Sequence, residues 1–136
     1  MSKDQNIDLL HLREALEASW DKKTSYLGVA QKGNPALGQC YPTAWVVQSF
    51  FPQMEIIKGW VWTGMSRSAD KHFWNGLSVN GTLFHIDLTW QQFPQGSSVR
   101  EFEVLDRESL GDSDKTIKRC ELLRQRVLDY IDANSG

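Results

Sequence analysis

Asn80-Gly81 joins two runs of alternating side chains, 71–79 and 82–88. An Asn-Gly pair in that setting is the strongest short-range sign of a two-residue β-hairpin. Such a turn sets Val79 opposite Thr82, Trp74 opposite Asp87 and His72 opposite Thr89. Side chains alternate between faces, so His72, Trp74 and Gly76 share one face with His85, Asp87 and Thr89. His72 and Asp87 become diagonal neighbours, with Cβ atoms roughly 7 Å apart. The other face carries Phe73, Leu77, Phe84, Ile86 and Leu88, a predicted core stripe. A slip of one residue would separate the imidazole from the carboxylate, so every functional expectation below depends on register.

The remaining elements follow from periodicity. Residues 7–20 predict an amphipathic helix, with Ile7, Leu10, Ala15, Leu16 and Trp20 inward and Asp4 or Asn6 as cap. A long loop then leads to a mostly apolar helix over 40–51, which Pro52 stops; its greasiness on most sides makes it central. Residues 55–63, rich in β-branched and aromatic side chains, predict a strand, and 99–105 a fourth or edge strand. The last helix spans 115–134, with Asp112 or Ser113 as cap and Ile117, Cys120, Leu123, Val127 and Ile131 inward. Helices, then antiparallel strands, then a helix make an α+β fold, with a cysteine-bearing helix packed on one antiparallel sheet. At 136 residues, one domain over 1–136 is expected.

Composition narrows function mainly by exclusion. A formal charge of -2 leaves no basic footprint for nucleic acid. No apolar run reaches the length a bilayer requires, so no membrane partner is expected. The first residues lack the layout of a secretory signal, and two cysteines make no disulfide framework. A cytoplasmic protein with reduced thiols is the expectation. Six tryptophans are read mainly as core, with Trp74 and Trp90, each close to His72 or Asp87, as candidates to line a cleft.

Cys40 carries the chemistry. Pro35 and Gly38 mark its approach as loop, and Pro42 falls where a first helical turn tolerates proline. The thiol therefore sits at the cap or first residue of a helix, near free N–H groups and the positive end of the dipole, which stabilise a thiolate. Cys40 as nucleophile, His72 as base and Asp87 as the group that orients the imidazole form a candidate triad. The Cys40 N–H is a natural oxyanion donor, and Gln39 is the available second one. His85 is expected as a substrate contact or support. Each residue also has a plain alternative: a buried structural thiol, a packed histidine, an aspartate that ends a strand. Cys40, His72, His85 and Asp87 are also zinc-ligand types, but their spacing matches no compact zinc signature, so no metal or other cofactor is expected.

Ser19-Trp20, Thr24-Ser25, Asn34-Pro35, Gly38-Gln39-Cys40, Thr43-Ala44, Gln48, His72-Phe73-Trp74-Asn75, Ile86-Asp87-Leu88-Thr89 and Gln92-Phe93 together resemble the YunG-like family of small bacterial proteins. More broadly, the order Cys, His, Asp is similar to the papain-like and transglutaminase-like superfamily. That resemblance implies a helix presenting Cys40 and adjacent antiparallel strands presenting His72 and Asp87. Papain-like enzymes place an oxyanion glutamine several residues before the cysteine, whereas Gln39 is adjacent to it. The implied activity is hydrolysis or acyl transfer at an amide-type bond, in a peptide or small amide. A non-catalytic module that keeps the cleft and binds a peptide or small molecule is the alternative.

Overall fold

A computed structural model of the chain describes residues 7–29, 31–64 and 69–134. Its hairpin follows the expected register: Val79 pairs with Thr82, Gly76 with His85 and Asn75 with Ile86. Asn80 and Gly81 both take positive φ, 52° and 82°, the mirror-image turn whose twist matches that of antiparallel strands. The strands are β1 (Glu55–Trp62), β2 (Asp70–Val79), β3 (Thr82–Ile86) and β4 (Ser98–Val104). They form one antiparallel sheet in the order β3-β2-β1-β4. β3 ends at Ile86 rather than Leu88, so Asp87 lies just past the ladder.

The sheet is strongly curled. β3 and β4 are its opposite edges, which in a flat sheet would stand ~14 Å apart. Yet the His85 ring on β3 meets the Phe102 ring on β4 edge-on, with centroids 4.9 Å apart. Trp74 on β2 lies between them, its ring 6.2 Å from Phe102. This close approach requires a glycine on the central strand. A Cβ on Gly59 would stand 2.3 Å from the Trp74 ring and 2.8 Å from the Glu101 carbonyl oxygen.

Three helices, α1 (Leu9–Ser19), α2 (Cys40–Phe50) and α3 (Asp114–Asn134), complete the fold. Leu12, Ala15 and Leu16 of α1, Val46 and Val47 of α2, and Leu123 and Val127 of α3 bury one another as the main core. A second cluster joins Tyr41 and Ala44 of α2 to Ile56 and Cys120. The Asn75 amide donates to the Ala44 carbonyl at 3.0 Å, and Tyr41 and Phe73 meet edge-on at 4.8 Å. α2 therefore lies against the Phe73/Asn75 face of β2, opposite the His72/Trp74 face.

Several expectations needed correction. Asp8 caps α1 by accepting from the His11 N–H; Asp4 and Asn6 lie outside the described residues. Leu10, expected inward, is 61% exposed, and Leu12 is buried in its place. The α3 cap is Ser113, which accepts from the Thr116 N–H, while Asp112 accepts from the Tyr41 hydroxyl. Phe84, assigned to a core stripe, is 53% exposed on the edge strand β3, while Ile86, two residues on, packs against the main core. Of the tryptophans only Trp74 is fully buried, and Trp60 faces solvent.

The Gly59→Ala substitution tests the curl. Overpacking against a fixed ring and a backbone oxygen should cost about 1–3 kcal/mol in urea unfolding. A variant as stable as the parent would show that the Trp74 approach is not constrained.

Candidate active site

The imidazole of His72 is fully buried, and its Nε2 lies 2.6 Å from Asp87 Oδ2. An ionised carboxylate only accepts hydrogen bonds, so the imidazole proton sits on Nε2 and the Nδ1 lone pair is free. That Nδ1 is buried with no hydrogen-bond partner among the described residues. A buried polar atom left unpaired carries a desolvation cost and calls for an explanation; Asn34 Oδ1 is another such atom among the described residues. Rings enclose the imidazole: Trp74 is stacked at 5.5 Å, and Phe93 and Trp90 are edge-on at 4.7 and 6.2 Å. What the sequence predicted as a polar face is the interior of the curled sheet, walled with aromatics.

Asp87 is held from its other side. Its Oδ1 accepts from the Thr89 N–H at 3.0 Å and the Thr89 hydroxyl at 3.2 Å, a local turn typical of aspartate. Gln92, in a short 3-10 turn at Trp90–Gln92, donates to the Thr89 carbonyl. The Asn34 amide donates in turn to the Gln92 carbonyl at 3.1 Å. A continuous series of bonds thus ties the loop before Cys40 to the carboxylate that orients His72. Thr89 and Gln92 were legible only as parts of a motif, and the bond from Asn34 had no sequence signal.

Cys40 is the first residue of α2, as expected, with Gln39 in the cap position. It is 3% exposed. Burial pushes its thiol up to about 11, against backbone N–H groups of Phe73, Tyr41 and Cys40 that favour the thiolate; the Asp87 charge adds to the rise. The sequence reading expected a stabilised thiolate from the helix end alone, and desolvation outweighs that end here. The Phe73 N–H, one residue past His72, favours the thiolate most among these groups, and no hydrogen bond joins the thiol to His72 Nδ1.

The remaining candidates divide. Gln39, proposed as oxyanion donor, is buried; its Nε2 donates to the Asp21 carbonyl and its Oε1 accepts from Thr24. Its amide fastens the loop to the start of α2, a structural task the residue type did not reveal. His85 accepts from the Trp74 indole N–H at 2.9 Å. With Trp74, Trp90 and Asp87 it lines a pocket of about 340 Å³, which Val99, Arg100 and Phe102 of β4 complete. The Cys40 thiol lies outside those walls. Cys120 is buried in the second core cluster, and burial pushes it up to about 12. Among the described residues, no three His, Cys, Asp or Glu side chains converge as a metal-binding group. No helix among them is long and apolar enough to cross a membrane.

The sequence profile of the YunG protein family matches residues 8–132. The chain belongs to the YunG family. No curated protein and no solved structure matches it. Membership agrees with the resemblance seen in the sequence blocks, and the α+β architecture above is how this YunG protein positions them.

Two buried thiols give the fold an alkaline limit. Each has a folded pKa above its ordinary value of 9.0, so the native state holds protons that the unfolded chain has released. Their contribution is complete below about pH 9 and is lost as pH rises toward 11 and 12. Urea midpoints should therefore fall between pH 9 and 11, less steeply in Cys40→Ala. A midpoint independent of pH over that range would contradict the burial of both sulfurs.

Proposed function

We propose that this protein is a thiol-dependent enzyme acting on an amide-type bond, by hydrolysis or acyl transfer, through Cys40, His72 and Asp87. The observation that carries the reading is the buried His72–Asp87 pair at 2.6 Å, with Nδ1 unpaired among the described residues. An imidazole fixed on one side by a carboxylate and free on the other has the arrangement a general base needs. The N–H of Phe73, its neighbour in sequence, is among the groups that favour the thiolate of Cys40, the thiol that opens α2.

The chemistry follows from those groups. Cys40 Sγ attacks the carbonyl carbon while His72 Nδ1 takes the thiol proton, so the proton transfer offsets the high intrinsic pKa of the buried thiol. The tetrahedral oxyanion accepts from the Cys40 N–H at the start of α2. The imidazolium then protonates the departing amine, leaving a thioester that water or a second amine resolves. Asp87 keeps Nε2 protonated throughout and balances the imidazolium charge. The reading requires the thiol at the start of α2 and the imidazole on the other face of β2 to approach in the substrate complex, where catalytic hydrogen bonds commonly tighten. A cysteine at a helix start and a histidine–acid pair on a neighbouring hairpin also support a papain-like or transglutaminase-like ancestry. The substrate class is a peptide, an isopeptide or a small amide.

A second reading has its own observation in favour. Cys40 is 3% exposed with its thiol pushed up to about 11, and the aromatic pocket beside Asp87 excludes it. Those features suit a binding module that keeps the cleft without the reaction.

Reaction with 4-nitrophenyl esters separates the two. The enzyme reading expects a nitrophenolate burst and an acyl mass on Cys40, both absent in Cys40→Ala. His72→Ala should slow acylation by about 10²–10⁴-fold, and Asp87→Asn by up to about 10⁴-fold. Ester cleavage unchanged by Cys40→Ala, or acyl groups spread equally over Cys40 and Cys120, would leave the binding module.

A further inference from the structure

We propose that the pocket between Trp74, Trp90 and β4 is a preformed subsite for an aromatic ring bearing a carboxylate. The proposal deepens the enzyme reading, under which that group belongs to the substrate, but the binding it asserts does not require catalysis.

The pocket is built by an irregularity in β4. Trp60 pairs with Glu101 and Val61 with Val99, which leaves Arg100 as the extra residue of a β-bulge. In a regular strand Arg100 and Phe102 would share a face and Val99 would point away. All three line the pocket, because the bulge swings its neighbouring side chains to one side. Bulges recur beside functional sites, where they re-aim a side chain that regular pleating would misdirect. The sheet's curl brings this bulge over Trp74 and His85, although β4 and β3 are opposite edges.

The walls specify the ligand. Trp74, Trp90 and Phe102 offer ring faces and edges, and Val99 an aliphatic surface, in a space of about 340 Å³, room for one ring system rather than a long chain. The polar groups are mostly donors. Because the Trp74 N–H donates to His85 Nδ1, the neutral His85 ring carries its proton on Nε2, which has no partner among the described residues. Arg100 adds a guanidinium, packed 4.8 Å over the Trp62 ring, which presents donors only. The obvious acceptor, Asp87, is already engaged: Oδ1 by Thr89 twice, Oδ2 by His72. A surplus of donors beside aromatic walls matches an acceptor-bearing ring and disfavours an amine.

Indole-3-acetate, cyclohexylacetate and benzylamine serve as probes, titrated by ligand-observed NMR against the whole protein. Indole-3-acetate should bind most tightly and benzylamine least. Arg100→Gln should weaken indole-3-acetate about tenfold, the loss of one charge-assisted hydrogen bond. Phe102→Ala should weaken it several-fold; both side chains are exposed, so neither change removes core. Benzylamine binding as well as indole-3-acetate, or indole-3-acetate binding unaffected by both substitutions, overturns the subsite. Cys40→Ala should retain full binding. Probe binding without thiol acylation would sink the enzyme and keep the subsite, and acylation without probe binding would do the reverse.

Discussion

Register across the β2–β3 turn is the constraint on which the site depends. Asn80 and Gly81 accept positive φ at little cost, so the hairpin closes with Val79 against Thr82 and no other pairing. Two strands' worth of side chains are thereby sorted onto two faces. One face meets α2 through Phe73 and Asn75; the other turns His72, Trp74 and His85 into the hollow of the curled sheet. A shift by one residue would place the histidine against the helix and its carboxylate partner on the far side.

Burial gives that arrangement its chemical character. Inside an aromatic enclosure an imidazole–carboxylate contact is screened little by water, so it orients strongly. The same exclusion of water works against Cys40, whose thiolate loses more by desolvation than the start of α2 returns. Helix position alone is a poor guide to thiol reactivity, because the sign of the net effect depends on what else surrounds the sulfur. For the enzyme reading, this makes proton transfer to His72 part of the attack rather than a prior equilibrium.

The bonds behind the pair distribute the task of holding it. Thr89 fixes Asp87, Gln92 fixes Thr89, and Asn34 fastens the loop before Cys40 to Gln92. Gln39 is absorbed in the same kind of bracing, its amide bonded to residues 21 and 24. Polar residues near Cys40 are therefore not interchangeable: the one adjacent in sequence braces a loop, while those that steady Asp87 come from distant segments.

The sequence by itself determined the elements, the hairpin register and the meeting of His72 with Asp87, because these follow from turn chemistry and from strand alternation over a few residues. It also determined Cys40 as the first residue of its helix, through the breakers that precede it and Pro42 just inside. Only the tertiary structure decided which face is enclosed, since the curl of the sheet depends on the space that Gly59 leaves for Trp74. It decided the exposure of Phe84, the bulge at Arg100 and the high pKa of Cys40 as well. Each of those depends on how far apart two edges end up and how much water remains between them, and no local pattern of residues encodes that distance.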